Sequence, residues 1–160
     1  MDALESLKEM HVAASAAFAE IEAADPADRE ELWADLQPQL VLHERIEEQF
    51  VYDPVARDAG GSDPVLAAWE TEHEYQVHEA DAVMDRIGSL DPGLPAWLEA
   101  VTNLATTLDG HIAHEETDIW PRIRAAWGDQ KLAEAGRHID AARAAADRGA
   151  SVQEAVAAAS

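Results

Sequence analysis

The sequence contains no cysteine. That absence excludes disulfides, thiolate metal sites, iron–sulfur clusters and a cysteine nucleophile. Any metal must then be held by histidine and carboxylate, donors suited to iron, manganese or zinc. Basic residues are scarce as well. Only 11 Lys and Arg stand against 33 Asp and Glu, a formal net charge of -22. Such a surface repels phosphate backbones and anionic membranes, so neither nucleic acid nor a membrane is an expected partner. The charge itself reads first as a solubility feature. No apolar run approaches the roughly 18 residues of a spanning helix, and no basic-then-apolar leader follows Met1. A soluble, cytoplasmic protein is the expectation. Glycine and proline are also few, 8 and 7 in 160 residues.

What remains is rich in alanine, leucine and glutamate, which cost little in a helix. The length suits one domain with one core. The spacing predicts a first helix over 3–24, with Leu4, Leu7, Ala14, Phe18 and Ile21 forming a heptad seam. His11 fills the one missing slot of that seam. Asp25-Pro26 should end this helix and open the next over 26–57, with Asp as N-cap and Pro in the first turn. Its seam is Leu36, Leu40, His43, Glu47 and Phe50. Gly60-Gly61 and Asp63-Pro64 separate a third helix, reaching Leu90 and striped by Leu66, His73, Val77, Ala80, Met84 and Ile87. A fourth runs from Pro95 to Trp127, stopped by Gly128, with Trp97, Val101, Leu104, Leu108, His111, Glu115 and Ile119 as its seam.

Four long helices with short connections predict an all-α fold, an up-down-up-down antiparallel four-helix bundle over residues 1–128. Residues 129–160 form an additional C-terminal helical segment, expected to pack on the outside of the bundle or partly to fray.

Ionisable residues sit on the seam of every one of these helices: His11, His43 with Glu47, His73, and His111 with Glu115. A buried ionisable group is costly unless it is paired or ligates a metal. One core histidine is ordinary, but a histidine from each of four helices is hard to explain without an ion. A metal-free bundle would predict that these side chains do not converge. Residues four apart lie about 40° apart around a helix and about 6 Å along it. His43 and Glu47 therefore point the same way, and so do His111 and Glu115. Two carboxylates with several imidazoles are donors that hold paired iron or manganese. The two units also repeat: each reads His-x-x-x-Glu-Glu, then a hydrophobic and aromatic pair, then proline, ending at Pro54 and Pro121.

These residues resemble the hemerythrin-like (HHE cation-binding) proteins over roughly residues 1–127. The shared pattern is a lone His on helix one, His-x-x-x-Glu on helices two and four, and His on helix three. Leu7-Lys8-Glu9-Met10-His11 also fits the first helix. Helix three departs from the pattern, because family members often carry two histidines there, adjacent or four apart. Here His73 and His78 compete. They lie about 140° apart on an ideal helix, so both stay candidates, joined only by a local helix irregularity.

The resemblance implies two non-haem iron ions, oxo- or hydroxo-bridged, held by carboxylates between them and capped by histidines. It also implies a small ligand such as dioxygen, peroxide or nitric oxide, bound or sensed. A catalase-like or peroxide-consuming oxidoreductase is the alternative. Zinc remains a possible substitute. Among lesser candidates, His114 and Glu116 read first as a solvated face, although either could orient a ligand by hydrogen bonding to it. Tyr52 and Trp120 read first as bundle-end packing, although a tyrosine near iron could ligate it or quench radicals. Asp81 and Glu74 read as solvated, and His138 as surface.

Overall fold

A computed structural model describes all 160 residues. It is helical throughout, with no strand. Helix α1 spans Ala3–Ala23. Its start is fixed by a capping box: the Asp2 carboxylate accepts from the Glu5 N–H at 3.0 Å, and the Glu5 carboxylate accepts from the Asp2 N–H at 2.9 Å.

The next helix begins later than the sequence predicts. Helix α2 spans Arg29–Glu47, and Pro26 lies in the turn before it. The Asp28 N–H bonds the Asp25 carbonyl at 2.9 Å, closing a tight reversal that the chain needs before it can run back along α1. Arg29 Nε then donates to the Ile21 carbonyl, which also accepts from the Ala24 N–H at the end of α1. Pro38 is accommodated inside α2.

From α2 the chain continues through a π-helical turn, Glu48–Tyr52, into α3, Asp53–Ala59. Helix α4 spans Pro64–Ser89, with the Asp63 side chain capping the Val65 N–H. Helix α5 spans Pro95–His114 and passes through a second π-helical turn, Glu115–Ile119, into α6, Trp120–Asp147. Gly128 interrupts α6 with φ 68 and ψ 179, backbone angles that only glycine adopts readily. The break falls where the sequence placed it. Helix α7, Val152–Ala159, is capped by Ser151 and Glu154.

The core falls into two apolar clusters. One joins Leu4 and Leu7 of α1, Ile46 and Phe50, Leu66 and Trp69 of α4, and Ile119 and Ile123. It also takes in Leu132, Ile139 and Ala142 of α6 and Ala155 of α7. The other joins Phe18 and Ile21 of α1, Leu36 and Leu40 of α2, Met84 and Ile87 of α4, and Trp97, Val101 and Leu104 of α5. His11, His73 and His111 fall between the residues given to the two clusters, and His43 lies just beyond the changeover from Leu40 to Leu42 on α2.

The first turns of α1 are tied to α6. Ser6 Oγ donates to Asp140 at 3.0 Å, and Arg124 pairs with Asp2 at 2.8 Å. Gly136 lies so close that a Cβ there would meet the Met1 carbonyl oxygen at 2.4 Å. His138, expected at the surface, is half-buried instead. It stacks on Phe50 at 5.5 Å and bonds the Ala159 carbonyl, so it seats α7.

Candidate metal centre

The two His-x-x-x-Glu units run into the two π-helical turns. The Asp53 N–H reaches back to the Glu48 carbonyl, and the Trp120 N–H to the Glu115 carbonyl. Each bond spans five residues instead of four, so each helix carries one extra residue in that turn. A proline follows two residues after each widened turn, Pro54 after Tyr52 and Pro121 after Ile119. Proline lacks the N–H that would close an α-helical turn, and its ring crowds the carbonyl four residues back. The widened turn accommodates both, and it swings Tyr52 and Trp120 into the interior, where both are buried.

Six of the predicted side chains meet in the layer between the apolar clusters. His11 Nε2 lies 3.6 Å from Glu47 Oε1 and 3.4 Å from Glu115 Oε2. His43 Nε2 lies 3.1 Å from Glu47 Oε1, and His73 Nε2 lies 3.1 Å from Glu47 Oε2. His111 Nε2 lies 3.1 Å from Glu115 Oε1. The donor atoms form two groups that share a member: Glu47, His73, His111 and Glu115 in one, and His11, His43 and Glu47 in the other.

His78 does not join them. Helix α4 is regular through this stretch, so its fivefold step from His73 leaves His78 exposed on another face. The irregularity that could have brought both histidines inward occurs instead after α2 and α5, on the two His-x-x-x-Glu units.

A cation fits the cluster. His11 Nε2, Glu47 Oε1 and Glu115 Oε2 are buried and make no hydrogen bond. Buried polar atoms are rarely left so, and lone pairs facing one another across about 3–4 Å are the arrangement that a metal ion resolves. Two of the rings, His11 and His111, are held at their far nitrogen by a hydrogen bond, whereas the Nδ1 atoms of His43 and His73 have no partner within bonding distance. His11 Nδ1 bonds Glu116 at 3.0 Å, His111 Nδ1 bonds the Gln76 side-chain oxygen, and His73 Nδ1 lies 4.0 Å from Glu48. An acceptor at Nδ1 keeps the proton there and leaves Nε2 free to ligate.

Glu116 is thus not part of a solvated face. His114 is, exposed and paired with Asp118 at 2.8 Å. Asp81 faces Arg45 at 3.8 Å and reaches no imidazole, and Glu74 is exposed.

Tyr52 is also closer to the chemistry than packing would require. Its hydroxyl donates to Glu115 Oε1 at 2.7 Å and accepts from Trp120 Nε1 at 3.1 Å. Trp120 stacks on His11 at 5.1 Å. Burial, with the charges of Glu115 and Glu47, pushes the Tyr52 phenol well above its ordinary value, so it stays protonated.

Without a cation the cluster balances its own charge. Burial acts to lower His11, but the carboxylates of Glu115 and Glu47 outweigh it and push the imidazole up to about 10. Burial acts to raise Glu47, and His43, His11 and His73 hold it well below the carboxylate range instead.

Sequence reasoning missed Gln76, and also Trp69, whose ring centre lies 5.9 Å from that of His73 and 5.5 Å from that of His111. The signals were local. Gln76 follows His73 by three residues and Trp69 precedes it by four, both on its face of α4.

Fold and site together define a helical protein with a buried histidine and carboxylate cluster able to hold metal cations. Residues 2–123 match the profile of the Hemerythrin HHE cation binding domain, and the chain belongs to that family. No curated protein and no solved structure matches the chain. No helix is long and apolar enough to cross a membrane.

Proposed function

We propose that the chain is a di-iron protein that binds or senses dioxygen or a related small oxygen or nitrogen species. The observation that carries this reading is the placement of Glu47. It belongs to both donor groups, and its two oxygens face different imidazoles. One ion would take His11 and His43 with Glu47 Oε1 and Glu115 Oε2. The other would take His73 and His111 with Glu47 Oε2 and Glu115 Oε1. Both carboxylates would then bridge, and imidazoles with carboxylates are donors that suit iron. When bound, paired iron supplies reversible one-electron steps and open positions for a small ligand.

The chain's own residues do the rest. Glu116 and Gln76 orient two of the rings, His11 and His111. Tyr52 holds Glu115 through its hydroxyl. The apolar clusters above and below keep bulk water from the layer. The alternation of helix ends between the two clusters supports an up-down-up-down bundle through residue 128. Residues 129–160 then serve as an extension that anchors α1 and closes one end.

A second reading, a peroxide-consuming oxidoreductase, draws on Tyr52 and Trp120. They are oxidisable side chains hydrogen-bonded in series to Glu115. Metal analysis and the visible spectrum of protein expressed with iron, followed by peroxide addition, test both. About two irons per chain with a stable coloured product supports the binding protein. Repeated oxygen release supports the enzyme. No bound metal, or one zinc per chain, sinks both.

A further inference from the structure

The metal layer is not sealed on every side. His11 and His73 are fully enclosed, whereas the side chains of His43 and His111 remain 15% and 14% exposed. They face a cavity of about 580 Å³ between α1, α2, α4 and α5. A molecule the size of water takes up roughly 30 Å³ in the liquid, and dioxygen is of the same order. Pockets for organic molecules run from about 300 to 1,000 Å³. The cavity falls in the second range.

Its lining has the composition of such a pocket. Phe18, Leu40, Val77, Ala80, Leu104 and Leu108 supply an apolar wall. Glu44 adds one unusual group. It is only 8% exposed, it lines the cavity, and its Oε2 has no hydrogen-bond partner. A buried carboxyl oxygen left unpaired is costly, and a ligand group that bonds it removes that cost. The remaining charges of the wall, Glu47, Glu72, Glu79 and Asp109 against Arg86, disfavour an anion.

We propose that this cavity binds an uncharged, mainly apolar organic molecule with one hydroxyl or amine group, which bonds Glu44 beside His43. That the molecule then lies next to bound metal rests on the di-iron reading. Its binding does not.

The test uses the full chain, with and without iron, and the neutral fluorescent amine N-phenyl-1-naphthylamine. Its emission should rise saturably, with one molecule bound per chain. 1-Decanol should displace it, and decanoate at the same concentration should not. Ala80→Phe and Leu108→Trp, which fill the cavity, should each weaken binding at least about tenfold, with circular dichroism checking that each variant is folded. Absence of saturable binding overturns the proposal. So does displacement by decanoate as readily as by decanol, or equal binding by both filled variants. The competition arm needs no variant, so it decides even if neither folds. Iron content measured on the same samples keeps the two readings apart: amine binding by a chain that takes up no iron removes only the di-iron reading.

Discussion

The two His-x-x-x-Glu units invite comparison because they begin alike and end differently. Both place an imidazole and a carboxylate on one face, both continue into a glutamate, and both enter a widened turn. In the first unit the turn starts after Glu47, and in the second it starts at Glu115 itself. The shift follows the prolines, since Pro54 and Pro121 each stand two residues beyond the turn. The carboxylates also have unequal company. Glu47 faces the three rings of His11, His43 and His73, whereas Glu115 faces those of His11 and His111 most closely, together with the Tyr52 hydroxyl. Burial and the charge of Glu47 both raise Glu115, and His11 and His111 overcome them. A repeat can therefore supply equal ligands and still make an unequal site. Part of the inequality lies at the position where the first unit has Tyr52 and the second has Trp120, since only the Tyr52 hydroxyl bonds a carboxylate of the pair.

The most severe way to break the pair is to remove its carboxylates. Glu47→Ala and Glu115→Ala should each lose most bound metal by elemental analysis, because each takes away a bridge. Unchanged stoichiometry in both variants would end the site assignment.

His11, the ring that touches both carboxylates, gives the next effect. Its folded value of about 10 lies above the ordinary 6.5. The stability it contributes is fully present below about 6.5 and is lost as pH rises toward about 10. Denaturant titrations of metal-free protein should show a decline on the order of a few kcal/mol across that window. In His11→Gln the decline should flatten; a variant that declines as steeply as the parent would place the titrating group elsewhere.

Tyr52→Phe sharpens the comparison more gently. It takes one donor from Glu115, which keeps His11 and His111, and leaves the Trp120 N–H without its buried partner, which costs about 1–3 kcal/mol. Trp120→Phe, which removes only the outer link, should cost less in the same unfolding experiment. Equal losses would mean that the phenol does not favour one unit over the other. Smallest of all is His78→Ala, for which metal content should stay at the parental level while His73→Ala loses it.

Much of the candidate site was legible in the sequence because side chains that converge in a bundle core must lie on a seam. Periodicity found His11, His43, Glu47, His73, His111 and Glu115, and it also separated His73 from His78 once the helix proved regular. The widened turns left no such trace. A single extra residue disturbs the pattern for one turn only, and Phe50 and Ile119 still look like seam positions on either count. The Tyr52 bond to Glu115 was not legible for that reason, since its inward rotation depends on the extra residue. The start of α2 was misplaced because Asp-Pro favours a turn as readily as a helix start. His138 and the Glu116 bond to His11 were illegible for another reason: each depends on a contact between residues more than twenty apart, which no local pattern encodes.

The ties between α1 and α6 set an order of events. During synthesis the helix that carries His11 is made first, but Asp2, Ser6 and the Met1 carbonyl wait for Arg124, Asp140 and Gly136 before they have anything to hold. Closing contacts across more than a hundred residues is slow relative to local helix formation. The helix that carries His11, the ring that touches both carboxylates, is therefore expected to reach its final seat late, once α6 has folded back against it.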